Sequence, residues 1–174
     1  CTYVGGGLVE KDPTTGEIVP YLAESWEIAE DGLTYTFKLR QDVKFHDGTP
    51  FTAHDYAFTI NRALDPELAS PGTAGMIAGV TDAIATDDYT LVLNLAAPNA
   101  ILMENLSLDG YMMPYSQAYV EAHDADFLGR NPMSVGPYIF KQWVTGESVV
   151  LERNPEYTWG PAFGPGPFNI ETIE

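Results

Sequence analysis

Two histidine–aspartate pairs, His46-Asp47 and His54-Asp55, are the residues of this chain whose types suit acid–base chemistry, because an imidazole beside a carboxylate is the raw material of a general base or a metal site. Their placement argues against that use. Asp47-Gly48 is a turn dipeptide, and Asp55 follows Thr52 at the spacing of a helix capping box, so both pairs are read as turn and helix-start residues. His123 is the third histidine and Cys1 the single cysteine, too few for a zinc or iron–sulfur site without unusual carboxylate help, and no cofactor or metal is expected. No H-E-x-x-H, G-x-S-x-G, P-loop or G-x-G-x-x-G pattern occurs, and the expectation is that the chain is not an enzyme. Gly5-Gly6-Gly7 has no helix predicted behind it to hold a phosphate; it reads instead as a place where the backbone approaches something closely. Trp26, Trp143 and Trp159 are candidate stacking platforms, with Trp26 and Trp143 assigned to packing because they sit beside predicted strands. Asn105-Leu106-Ser107 matches a glycosylation acceptor, but Leu106 falls inside a predicted apolar helix, and the match is read as accidental.

The elements that must position these residues follow from hydrophobic period. From Thr34 to Arg40, Tyr35, Phe37 and Leu39 alternate with Thr36, Lys38 and Arg40, the pattern of a half-buried strand after the Asp31-Gly32 turn. Tyr89, Leu91, Leu93 and Leu95 alternate in the same way, and a third strand is expected over Ser148 to Arg153 with Val149 and Leu151 opposed to Val150 and Glu152. Shorter strands are expected at Leu8-Val9, Val43 to Phe45 and Ile170. A helix starts after Thr52, carries Ala53, Tyr56, Ala57, Ile60 and Leu64 on one stripe, and stops at Asp65-Pro66. Weaker helices are expected over about Asn99 to Leu106 and Tyr115 to Ala122. Past Asn154, proline and glycine crowd into a loop.

The 174 residues carry 8 Lys plus Arg against 25 Asp plus Glu, a net charge of −17, which disfavours binding to nucleic acid or to anionic membranes. This acidity fits an extracellular protein, adaptation to salt, or a surface for cationic ligands alike. No apolar run approaches the ~18 residues of a membrane span. The residues by themselves describe a mixed α/β (α+β) domain.

Longer strings placed in order are more specific. Ile18-Val19-Pro20-Tyr21-Leu22-Ala23-Glu24-Ser25-Trp26, then Asp31 to Arg40, then Val43-Lys44-Phe45-His46-Asp47-Gly48-Thr49-Pro50-Phe51-Thr52-Ala53-His54-Asp55 resemble the N-terminal signature of family 5 solute-binding proteins, the extracytoplasmic receptors of peptide and nickel ABC importers. The resemblance runs on through Asp87-Asp88-Tyr89-Thr90, Asn131 to Tyr138 and Leu151-Glu152-Arg153-Asn154-Pro155-Glu156-Tyr157. Ser134-Val135 departs from the Gly-Thr pair usual in the family.

The resemblance implies a periplasmic-binding-protein type II-like fold with part of the first lobe, over residues 1–17 and 136–174, and the family's extra subdomain over 18–135, the second lobe being absent. It implies a substrate-binding component of an ABC importer that captures oligopeptides or dipeptides outside the cytoplasmic membrane and delivers them to permease subunits. A receptor for an oligosaccharide or a nickel complex is the alternative within the family, and a hydrolase using His46 or His54 the alternative of another class. Gly6, Gly7 and Leu8 match the family's cleft-edge strand, and Asp109 and Tyr111 match a loop near the cleft mouth. The full-length protein is expected in the periplasm or extracytoplasmic space, where lipoprotein anchoring occurs in the family; Cys1 is read as an interior residue.

Overall fold

A computed structural model describes residues 3–68, 71–108 and 111–174, so the readings placed on Cys1 and Asp109 lie outside the described residues. Three antiparallel sheets follow one another. Strands β1 (Val9–Lys11) and β2 (Ile18–Pro20) pair across a turn in which the Asp12 carboxylate accepts the N–H groups of Thr14 and Thr15. Strands β3 (Ala23–Ile28), β4 (Thr34–Leu39), β5 (Val80–Asp87) and β6 (Thr90–Leu95) form a sheet in the order β3-β4-β6-β5. Strands β7 (Tyr138–Val144), β8 (Ser148–Arg153) and β9 (Thr172–Ile173) make the third.

The alternation in β4 and β6 does what its period requires: Tyr35, Phe37, Leu39, Leu91, Leu93 and Leu95 are all buried. Helix α1 (Ala53–Leu64) covers this sheet on the β5 side, and its start is fixed as expected, Asp55 Oδ2 accepting both the Thr52 N–H at 3.0 Å and the Thr52 hydroxyl at 2.8 Å. Its buried face is Ala53, Tyr56, Ala57, Thr59, Ile60 and Ala63; Leu64, expected on the stripe, is half-buried because the helix ends at Asp65. One turn before that end, Asn61 lies against β5, donating to the Ala83 carbonyl at 2.8 Å and accepting the Ala83 N–H at 2.9 Å. Short helices α2 (Pro71–Met76), α3 (Leu102–Leu106), α4 (Gln117–Ala122) and α5 (Ala125–Arg130) complete the chain.

Several expectations are corrected. Residues 43–45 form no strand, only an isolated bridge between Lys44 and Pro50, because Gly48 at φ +86° folds the segment into a tight turn. Val149 is 40% exposed and only Leu151 of β8 is buried. The last strand is Thr172–Ile173, and Ile170 precedes it at the surface. Trp143 is 47% exposed, with the Arg130 guanidinium 5.8 Å from its ring centroid, so it is not a core residue. Trp26 is half-buried against the core, as assigned, and Trp159 is buried, its indole N–H donating to the Val135 carbonyl at 2.9 Å. Among the described residues no helix is long and apolar enough to cross a membrane.

Candidate ligand-binding site

The segment 4–8 is buried throughout, and its glycines are where other parts of the chain press closest. A side chain at Gly6 would meet the Tyr21 ring at 2.5 Å; one at Gly7 would meet the Leu106 carbonyl oxygen at 2.7 Å; one at Gly5 would collide with Met113. The close approach expected of these glycines is thus made by the protein's own chain. Leu8 is fully buried, and the carbonyls of Gly7 and Leu8 accept from Leu22 and Ala23 at 3.3 and 2.8 Å.

This packing brings together two stretches far apart in sequence, residues 5–8 and the described residues 106–108 and 111–113, both of which carry candidate site residues. Tyr56 of α1 ties them. Its hydroxyl donates to the Met112 carbonyl at 2.6 Å and takes a hydrogen bond from the Leu8 backbone, and burial holds the phenol far above its ordinary range, so it stays protonated. The sequence signal at Tyr56 was only that of a core stripe; the role of its hydroxyl needed the non-local partners. Tyr111, next to Met112 in sequence, is 54% exposed.

Beside Gly5 and Tyr21 of this junction lies a groove of about 410 Å³ walled by Tyr3, Gly5, Tyr21, Tyr157, Phe163 and Phe168. Its aromatic wall is braced internally: the hydroxyls of Tyr21 and Tyr157 share a 2.7 Å hydrogen bond, and Phe168 stacks on Tyr157 at 6.0 Å and on Tyr138 at 6.4 Å. At the rim Lys11 pairs with Glu104 at 2.7 Å. The wall offers apolar and aromatic surface with few polar groups, the usual make-up of a small-molecule site.

The histidines are spent elsewhere. Asp47 accepts from the Thr49 N–H and hydroxyl at 2.9 and 2.6 Å, not from His46. His46 reaches the Gly136 carbonyl through Nε2 at 3.0 Å and leaves Nδ1 buried without a partner, and burial pushes its pKa below the ordinary value. His54 is exposed, 3.4 Å from Asp88, and His123 bonds the Tyr119 carbonyl at 2.8 Å and stacks on Phe127. Among the described residues no group of three or more His, Cys, Asp or Glu is placed to hold a metal ion. Asn105 donates to the Met76 carbonyl at 2.8 Å, so the glycosylation-like triplet is part of the packing. Ser134, at the departure from the usual family pair, donates its buried hydroxyl to the Pro114 carbonyl at 2.8 Å.

Comparison with known proteins agrees with this architecture. The chain is 34% identical over 173 residues to the periplasmic oligopeptide-binding protein OppA of Escherichia coli K12, covering 90% of this chain and 31% of the relative. Among solved structures it matches the periplasmic binding protein DppA of Helicobacter pylori in complex with the peptide STSA at TM-score 0.79 and 34% identity, over 91% of this chain and 35% of that one. It also matches MoaA of A. tumefaciens R10 in complex with mannopinic acid at TM-score 0.83 and 32% identity, over 92% and 33%. The chain therefore spans about a third of the length of these relatives. The expected mixed α/β, periplasmic-binding-protein type II-like fold is borne out in this partial form. The model of the bacterial extracellular solute-binding proteins, family 5 Middle, matches residues 17–174, and the chain belongs to that family.

Proposed function

We propose that this chain is part of the substrate-binding component of an ABC importer, which captures oligopeptides or dipeptides outside the cytoplasmic membrane and passes them to the permease subunits. The observation that carries this reading is family membership over residues 17–174 together with 34% identity to an oligopeptide-binding protein. The fold gives it a physical footing, since the aromatic groove beside Gly5 is an apolar, largely preformed surface of the kind that gains most when a second lobe closes over it and excludes water.

On this reading residues 1–17 and 136–174 belong to the first lobe and 18–135 to the extra subdomain. Hydrogen bonds from the Gly136 N–H to the Val4 carbonyl at 2.8 Å and from the Tyr138 N–H to the Tyr3 carbonyl at 2.9 Å support placing the two ends together. Gly6, Gly7 and Leu8 serve by holding the wall of the cleft rather than by side-chain contact, with Asp109 and Tyr111 near its mouth. No bond is broken in the cycle: His46 and His54 have no catalytic role. Titration calorimetry of the full-length protein with di- and oligopeptides tests this. Saturable binding with the peptide recovered intact is expected. Hydrolysis of the peptide, or affinity only for oligosaccharides or nickel complexes, overturns it.

A further inference from the structure

Eight cations stand against 25 acids in this chain, so an unpaired one is unexpected. Lys11, Arg40, Lys44, Lys141 and Arg153 each lie within ion-pair distance of a carboxylate. Lys38 donates to the Thr90 hydroxyl at 2.8 Å, and Arg130 lies over Trp143. Arg62, in the last turn of α1, makes no ion pair or hydrogen bond among the described residues. The acid three positions on does not serve it: Asp65 Oδ1 accepts the Glu67 N–H at 2.8 Å. A cation at a helix C-terminus is favoured by the dipole, but that does not account for its surroundings.

Those surroundings are a groove of about 220 Å³ shared by Arg62 with Thr59, Ala63, Leu68, Tyr111 and Tyr115. Thr59 and Arg62 are three residues apart and so share a face of α1. The Thr59 hydroxyl donates to the Asp55 carbonyl at 2.8 Å and accepts the Tyr115 N–H at 2.8 Å, which pins Tyr115 to that face beside the guanidinium. Tyr111 is 54% and Tyr115 38% exposed, so both present aromatic surface to solvent.

We infer that Arg62, with Tyr111 and Tyr115, forms a subsite for the carboxylate of an organic acid such as a peptide C-terminus. A planar guanidinium offers a fork of donors that matches a carboxylate, and the two rings receive the apolar group attached to it. The net charge of −17 disfavours an inorganic anion, which brings no apolar area in compensation. The ligand class rests on the solute-binding reading above; the site itself lies wholly within this chain.

The test is an NMR titration of this chain with hippurate, its neutral amide hippuramide, and sulfate, reading the Arg62 Nε–H signal and the rings of Tyr111 and Tyr115. Hippurate is expected to move all three saturably, and the amide and sulfate to leave Arg62 unmoved. Arg62→Met should weaken hippurate by about tenfold or more, as loss of a charge-assisted bidentate pair implies, and Arg62→Lys should recover only part. Tyr111→Ala should weaken it severalfold without touching α1. Equal shifts with hippurate and its amide, or no shift at Arg62, or an unchanged affinity in a folded Arg62→Met, overturns the inference. Peptide binding by the full-length protein alongside any of these results would leave the proposed function standing, whereas hippurate binding without any peptide affinity would do the reverse.

Discussion

Around the four-stranded sheet, Tyr35, Phe37, Leu39, Leu91, Leu93 and Leu95 close with Tyr56 and Ile60 into one large core, while the three-stranded sheet buries Val4, Tyr138 and Leu151 in a small cluster of its own. Directed contacts fasten the second region to the first. Asn154 N–H reaches the Pro137 carbonyl at 2.8 Å, Trp159 the Val135 carbonyl, and His46 the Gly136 carbonyl, so residues 135–137 are fastened on several sides. Apolar burial is non-directional and sums over many residues, whereas a net hydrogen bond contributes only about 1 kcal/mol, so the two regions should open at different free energies.

The largest effect that would test this contrast is Phe37→Ala. Removing a fully buried ring from the centre of β4 should cost about 3–5 kcal/mol in a denaturant melt and lower protection chiefly in β4 and β6, since the three-stranded sheet opens by itself at a lower free energy. Leu151→Ala should cost about 2 kcal/mol, at the lower end for such truncations, because Leu151 sits in a small cluster. Hydrogen exchange should then quicken in β7 and β8 while β4 and β6 keep their protection; uniform quickening would show that the two regions unfold as one.

Acid gives the smallest and most local effect. Burial lowers the pKa of His46 from the ordinary 6.5, with the Gly136 hydrogen bond and Asp47 opposing. Between the folded and unfolded values the unfolded chain binds the extra proton, so stability falls as pH drops through about 6.5 and levels off below the folded value. In His46→Gln, which keeps an N–H donor and cannot titrate, that part of the pH dependence should vanish. An identical profile in both proteins would place the acid sensitivity elsewhere.

What the sequence made legible follows the same division. Strands β4 and β6 lie in the middle of their sheet with one face buried, so their period of two was plain, and Thr52 with Asp55 announced the start of α1. The outer strands were not legible. In β3, Glu24, Ser25 and Glu27 face solvent, and in β5 two register shifts break the alternation around an exposed Ile84. Trp143 looked like core because aromatics usually are, and only the structure shows Arg130 covering it at the surface. At the candidate site Gly6 and Gly7 were correctly singled out as points of close approach, but what approaches them, Tyr21 and Leu106, is fixed by long-range folding that no local pattern records.

The single amide of Asn61 has a consequence for how molecules of this protein meet one another. By occupying both backbone groups of Ala83 on the outermost strand, it removes a pair of main-chain valences onto which a stray strand could zip at that border, and the carboxylates of Glu24 and Glu27 repel newcomers at the opposite border. A crowded solution of such molecules is thereby protected against ribbon-like polymerisation at both margins by three polar side chains.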